Sequence, residues 1–101
     1  MKSIINGKKY DTSTAELIGE WWNGLSDRDF KHCSEELYRK RTGEFFLYGE
    51  GGPMTEYAKD CPGGWCGGER ISPCTDAEAR EWCEYHLDAD KYEAIFGPVE
   101  E

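Results

Sequence analysis

Five cysteines and two histidines are the residues of this 101-residue chain that could bind a transition metal. They are Cys33, Cys61, Cys66, Cys74, Cys83, His32 and His86. Cys61 and Cys66 form a C-x4-C segment, and the glycines between them let a backbone wrap around one tetrahedral ion. Cys83 and His86 lie three residues apart, which puts both on one face of a helix. These spacings predict zinc, whereas the alternative is a set of free thiols packed as small hydrophobic side chains.

The expected topology selects among these ligands. A hairpin turning at Thr42-Gly43 and a following antiparallel strand bring Cys33, Cys61 and Cys66 to one end of a sheet. A helix running back over the sheet carries Cys83 toward the same end, at about 1.5 Å per residue. We therefore expect zinc at Cys33, Cys61, Cys66 and Cys83, with His86 as the reserve ligand. Cys74 starts at the far end, so we expect it to be left out. Four thiolates would make a closed, structural site.

The elements that must position these residues can be read from turn and capping signals. Asn6-Gly7 predicts a tight hairpin over residues 3–10. Ser13 and Glu16 form a capping-box pattern, which predicts a helix over 13–22. The main hairpin is expected over 34–41 and 44–49, followed by a helical turn in 54–60, a Gly-rich loop over 61–68 and a short strand over 69–72. A second capping box predicts a helix over 75–87, with a last helical turn at 90–96.

This order of elements predicts an α+β fold in one domain, residues 1–101. We expect a small antiparallel β-sheet, made of hairpins plus one more strand, covered by two main helices. The Gly-rich loop, held by zinc, would be its least self-supporting part.

The charge of the chain is strongly acidic. It has 21 acidic and 12 basic residues, a net charge of −9. Such a protein repels nucleic acid and is attracted to basic surfaces. Glu78, Glu81, Glu84 and Asp88 are expected on the outer side of the 75–87 helix, as an acidic ridge that binds a partner. The alternative is that this is simply a solvated helix face.

Several function classes have no support in the sequence. There is no Ser-His-Asp order, P-loop or GxGxxG motif, and His32 and Cys33 would point to opposite sides of a strand. No apolar segment is long enough to cross a membrane or act as a secretion signal. We therefore expect a cytoplasmic, monomeric binding protein that is not an enzyme and does not bind nucleic acid or membranes.

Four stretches of the chain together resemble a family of short proteins carried by phages and integrative elements of Firmicutes. They run over residues 10–18, 37–52, 68–73 and 78–97, and include the segment Thr42-Gly43-Glu44-Phe45-Phe46-Leu47-Tyr48-Gly49. The resemblance implies a bacterial or phage protein that acts in the host cytosol and, because some proteins of this kind are anti-CRISPRs, one that inhibits a type II-A Cas9. The acidic surface suggests that it would interfere with loading of target DNA. The cysteines depart from the family pattern, so the zinc prediction rests on their spacing alone.

Two alternatives to Cas9 inhibition stay open. One is a zinc-stabilised accessory protein of a mobile element that binds a different protein. The other is an enzyme that uses a cysteine or an open metal site. A partner interface made by the loop around Trp65, in place of the acidic ridge, is a further possibility for the binding protein.

Overall fold

The computed structural model describes residues 1–101 and has the predicted α+β character. The strands are β1 (Lys2–Ile5), β2 (Lys8–Asp11), β3 (Glu16–Trp22), β4 (Cys33–Arg39), β5 (Phe45–Gly51), β6 (Lys59–Cys61), β7 (Gly64–Cys66) and β8 (Gly68–Cys74). The helices are α1 (Asp76–His86) and α2 (Ala89–Phe96).

A four-stranded antiparallel sheet in the order β3-β4-β5-β8 is the centre of the fold. Its middle is the predicted hairpin, in which Leu37 lies opposite Leu47 and Cys33 opposite Gly51. The next strand runs antiparallel to β5, as predicted, with Phe45 opposite Cys74. The β1–β2 hairpin, which turns at Asn6-Gly7, forms a separate small sheet.

The helix predicted over 13–22 is wrong, because residues 16–22 form β3, an edge strand paired with β4, and residues 13–15 are non-helical. Local signals misled the prediction: Asp11, not a helix N-cap, accepts hydrogen bonds from the backbone and hydroxyl of Ser13. Tertiary packing favours the strand, since Gly19 lies against Trp82 and Leu87 with no room for a side chain. The two helices of the fold therefore both follow the sheet in sequence.

Apolar side chains are buried on both faces of the sheet. On one face, Leu37 and Phe45 pack with Ala79 and Cys83 of α1, and α2 packs around this cluster. On the other face, Tyr38, Phe46 and Ile71 pack with Tyr10 of the β1–β2 hairpin, whose ring centroid lies 5.5 Å from that of Phe46. The hairpin is too small to cover the whole of its face.

The predicted helix over 75–87 is confirmed, including its capping box. Thr75 is the N-cap, its hydroxyl accepts from the backbone of Glu78, and Glu78 accepts from the backbone of Thr75. The second helix is longer than the predicted turn at 90–96. Its N-cap is Asp88, which accepts from the backbone of Lys91.

The Gly-rich segment is more ordered than a loop. The predictions of a helical turn in 54–60 and a loop over 61–68 are both wrong. Residues 53–57 form non-helical turns, and β6 and β7 then form a tight hairpin around Pro62-Gly63. Proline followed by a glycine at positive φ suits this turn, and Gly63 has φ 90°. Backbone pairing between the two strands therefore orders this segment.

Gly49 should be required for the docking of Tyr57 onto the sheet. A Cβ at this position would overlap the Tyr57 ring, which packs directly on the β5 backbone. We expect Gly49→Ala to lower the free energy of unfolding by about 1–3 kcal/mol, the usual cost of overpacking. Urea denaturation of the single variants and of Gly49→Ala/Tyr57→Ala would measure the coupling. The added methyl group should cost little once the ring is absent, and an equal cost in both backgrounds would contradict this account.

Candidate functional site

A buried carboxylate, Glu35 of β4, holds the helix-covered face together. Glu35 is only 8% exposed. The Tyr57 hydroxyl donates to its Oε2, and Nε1 of Trp82 donates to its Oε1 at 3.1 Å. Nε2 of His86 lies 3.9 Å from the same Oε1. Glu35 thus joins the 53–57 segment and α1 to the middle of the sheet.

His86, predicted as the reserve zinc ligand, lies inside this cluster. Its ring centroid is 4.7 Å from that of Trp21 and 4.8 Å from that of Trp82. Burial lowers the pKa of His86, and the nearby Glu35 carboxylate only partly opposes that effect. The arrangement favours a neutral imidazole packed between indole rings, which is a structural role.

The opposite face of the sheet carries one glutamate on each strand. These are Glu20 of β3, Glu36 of β4, Glu50 of β5 and Glu69 of β8, here called the glutamate row. Glu20 lies directly opposite Glu36, and Glu50 directly opposite Glu69. Neighbouring strands are about 4.8 Å apart, so the row concentrates negative charge across the width of the sheet. It lies on the part of the face that the β1–β2 hairpin leaves open.

An open cleft of about 410 Å³ lies along the glutamate row. Its lining includes Glu20, Glu36 and Glu50 together with Ser34, Tyr48 and Trp22. The Trp22 side chain is 60% exposed, although its Nε1 donates to the Leu25 carbonyl. An exposed indole beside several carboxylates suits a cationic side chain, which can pair with the carboxylates and lie over the ring.

The charges of the glutamate row have no cationic partner within the chain. The five ion pairs of the protein use other carboxylates, those of Glu16, Glu44, Glu56 and Asp76. Tyrosine hydroxyls are the neighbours instead. Tyr38 donates to Glu36 at 2.9 Å, and Tyr48 lies 2.6 Å from Glu69 and 3.0 Å from Glu50. One phenol proton can serve only one of those two carboxylates at a time.

These neighbours change the ionisation of the tyrosines. Burial, followed by the hydrogen bond to Glu36, raises the pKa of Tyr38 to about 12. Burial and the hydrogen bonds to Glu69 and Glu50 raise the pKa of Tyr48 further. Both phenols therefore stay protonated and act as donors that fix the carboxylates in place.

The four predicted partner-binding carboxylates, Glu78, Glu81, Glu84 and Asp88, are all exposed. Two of them already have structural roles. Glu78 completes the capping box of α1, and its hydrogen bonds to Thr75 lower its pKa. Asp88 caps α2. This leaves Glu81 and Glu84 as the members of the predicted ridge that are not engaged in caps.

The structure brings together only two of the four predicted zinc ligands. Cys61 and Cys66 point to the same side of the β6–β7 hairpin, and a hydrogen bond to the Cys66 thiol, ahead of burial, raises the pKa of Cys61. Cys83 is fully buried in the apolar cluster with Leu37 and Phe45, and Cys74 packs against the same cluster. The expected return of Cys83 to the Cys33 end of the sheet is therefore not seen.

Zinc at Cys33, Cys61, Cys66 and Cys83 stays a prediction. No group of three or more His, Cys, Asp or Glu side chains is arranged to hold a metal ion. Burial, followed by the charges of Glu35 and Glu56, raises the pKa of Cys33. A set of four thiolates would require Cys83 to leave the apolar core.

Comparisons of the chain with protein-family models, curated proteins and solved structures found no match. Neither helix is long and apolar enough to cross a membrane. The fold thus defines a small α+β protein.

Sequence reasoning missed the glutamate row because it assigned residues 13–22 to a helix. In a helix, Glu20 would not align with Glu36. A usable signal was present, since residues 16–22 contain Ile18, Gly19 and two tryptophans, a composition that suits a strand better than a helix. Pairing such a strand with residues 33–39 brings Glu20 beside Glu36.

Acidification should destabilise the protein through His86. Because the folded state lowers its pKa below the usual 6.5, the unfolded state binds more protons, and stability falls as pH drops through that value. We expect the free energy of unfolding to decrease between about pH 7.5 and about pH 5.5, above the range where carboxyl groups titrate. Urea denaturation at each pH would measure this. His86→Gln should flatten the dependence and His32→Gln should preserve it, whereas the opposite pattern would contradict the assignment.

Neutralising one member of the glutamate row should stabilise the fold. Like charges directly opposite each other on adjacent strands are destabilising, so Glu20→Gln should raise the free energy of unfolding by about 0.2–1 kcal/mol at low salt. The gain should shrink as salt is added. Glu16→Gln on the same strand is the matched control, because Glu16 pairs with Arg39 at 2.8 Å and its loss should not stabilise. Equal effects of the two substitutions on the free energy of unfolding would show that charge repulsion within the row does not destabilise the fold.

Proposed function

We propose that this protein is a non-catalytic inhibitor that binds a basic, nucleic-acid-binding surface of a host enzyme. The observation that carries the proposal is the glutamate row, four carboxylates on one open sheet face with no cationic partner in the chain. Carboxylates kept together against their mutual repulsion are a stability cost that binding of a cationic surface would relieve. Trp22 and the cleft beside the row supply an anchor of the kind that dominates binding energy at interfaces.

The net charge of the chain supports the same class of partner. At −9 in 101 residues, the protein repels nucleic acid and accelerates its own approach to a basic groove. A groove that normally holds a nucleic acid backbone offers lysine and arginine side chains for the carboxylates. Occupation of the groove would exclude the nucleic acid without any chemical reaction.

The specific candidate is a type II-A Cas9, which the resemblance of the sequence to phage and integrative-element proteins suggests. Cas9 holds its guide–target heteroduplex in a positively charged channel and reads that duplex mainly through its backbone. An acidic protein in this channel would interfere with loading of target DNA. Such an inhibitor would act in the cytoplasm of the bacterial host.

The glutamate row is a better docking surface than the ridge on α1. The cross-strand pairing of the sheet fixes the spacing of the row, and the hydroxyls of Tyr38, Tyr48 and Ser34 donate to three of its four carboxylates. On α1, Glu78 and Asp88 are engaged in helix caps, and the apolar anchor next to Glu81 and Glu84 is Tyr85, which is almost fully exposed. We therefore assign docking to the row and leave long-range steering to the whole acidic surface.

Two charge-reversal variants separate docking from steering. Glu20→Lys/Glu50→Lys changes the row and Glu81→Lys/Glu84→Lys changes the ridge, with the same change in net charge. We expect the row variant to lose inhibition of DNA cleavage by purified Cas9 and to dissociate at least about tenfold faster. Because the change in net charge is the same, both variants should associate more slowly at low salt by similar amounts. The ridge variant should inhibit nearly as well as the parent, with only a modest loss of salt dependence. Thermal unfolding would check that both variants fold.

If the ridge variant loses inhibition and the row variant keeps it, docking is assigned to the predicted ridge of Glu81 and Glu84. Equal, small effects of both variants would contradict an acidic interface of either kind. Failure of the parent protein to inhibit Cas9 would reject this enzyme as the partner. If the parent protein then captures a different protein from host lysate and the row variant does not, the accessory-protein alternative is favoured.

A further inference from the structure

The β6–β7 hairpin holds two thiols next to each other at the protein surface. In its register, Lys59 lies opposite Cys66 and Cys61 opposite Gly64. Residues that are opposite, or two apart on one strand, point to the same side of a hairpin, so Cys61 and Cys66 are diagonal neighbours on one side. The Cys66 thiol donates to the Lys59 carbonyl at 3.6 Å, across the hairpin. Both cysteines are partly exposed.

The other three cysteines have different surroundings. Cys83 is fully buried and Cys74 packs against the same apolar cluster. Cys33 lies on the central sheet, near the carboxylates of Glu35 and Glu56. A dissolved oxidant therefore reaches the Cys61 and Cys66 thiols more readily than the buried thiol of Cys83.

We propose that Cys61 and Cys66 form a reversible disulfide by exchange with a low-molecular-weight disulfide. One thiolate attacks a sulfur of the small disulfide, which releases one small thiol and leaves a mixed disulfide on the protein. The second thiolate attacks the protein sulfur of that mixed disulfide, and a second small thiol leaves. The two cysteines together lose two protons and two electrons, and the small disulfide is reduced to two thiols. Excess small thiol reverses both steps.

The bond would lock the end of the hairpin that presents Trp65. This residue lies opposite Asp60, between the two cysteines of the pair, and is 64% exposed. The two strands of this hairpin have three residues each and are weakly held by themselves, because an isolated two-stranded hairpin is marginally stable in water. A covalent link across it would keep the Trp65 strand in register.

The test is oxidation of the full chain by oxidised glutathione, with EDTA present throughout. We expect the titre of free thiols to fall from the five of the reduced chain by two. Trypsin should release residues 60–70 as one peptide that contains both Cys61 and Cys66 and has lost two hydrogen masses. Dithiothreitol should return that peptide to its reduced mass. In the Cys74→Ser variant this peptide should contain the same disulfide as in the parent. In the Cys61→Ser variant, Cys66 should instead carry glutathione.

Three results would overturn the proposal. They are separate glutathione adducts on Cys61 and Cys66, a disulfide that joins either residue to a different cysteine, and an unmodified 60–70 peptide when the oxidant is in excess. Circular dichroism of Cys61→Ser and Cys66→Ser would show that both variants fold, so that a missing disulfide reflects chemistry and not loss of the hairpin.

Discussion

The buried Glu35 carboxylate is the constraint on which the arrangement of the helix-covered face depends. A charge removed from water is costly unless hydrogen bonds replace its hydration. Its donors, Tyr57 and Trp82, are 22 and 47 residues away along the chain. Gly49 has no side chain where the Tyr57 ring must lie. The carboxylate can therefore be buried only when the 53–57 segment and α1 are both in place, which makes the docking of these two segments interdependent.

The two faces of the sheet treat carboxylates in opposite ways. On the helix-covered face, one glutamate is buried and surrounded by donors. On the other face, the glutamate row stays in contact with water, where repulsion is screened and the cost to folding is small. The apolar cluster of Tyr10, Tyr38, Phe46 and Ile71 stabilises three of these four strands, β4, β5 and β8, at the other end of that face. The sheet can thus tolerate repulsion within the glutamate row because the burial of apolar side chains stabilises it.

The sequence predicted those elements whose signals agree with their tertiary surroundings. The main hairpin has an aromatic strand after Thr42-Gly43, and α1 has a capping box whose two hydrogen bonds form as expected. Residues 13–22 failed because a capping-box pattern is local, whereas strand pairing and the contact of Gly19 with Trp82 are not. The prediction that four cysteines converge used the order of the strands, which was right, and the rise of the helix. It did not take into account that Cys83 faces the apolar core. Cys83 packs with Leu37 and Phe45, apart from the β6–β7 hairpin that carries Cys61 and Cys66.

Net charge and fixed charge contribute differently to binding. All the carboxylates of a chain with net charge −9 speed its approach to a basic surface, wherever they lie. Retention after contact depends on groups that are already in position, because ordering long side chains at an interface costs free energy. Strand pairing sets the spacing of the glutamate row, and the Tyr38, Tyr48 and Ser34 hydroxyls limit the rotation of three of its carboxylates. The exposed carboxylates of Glu81 and Glu84 have no such restraint, so the row can hold a cationic partner at a lower entropic cost than α1 can.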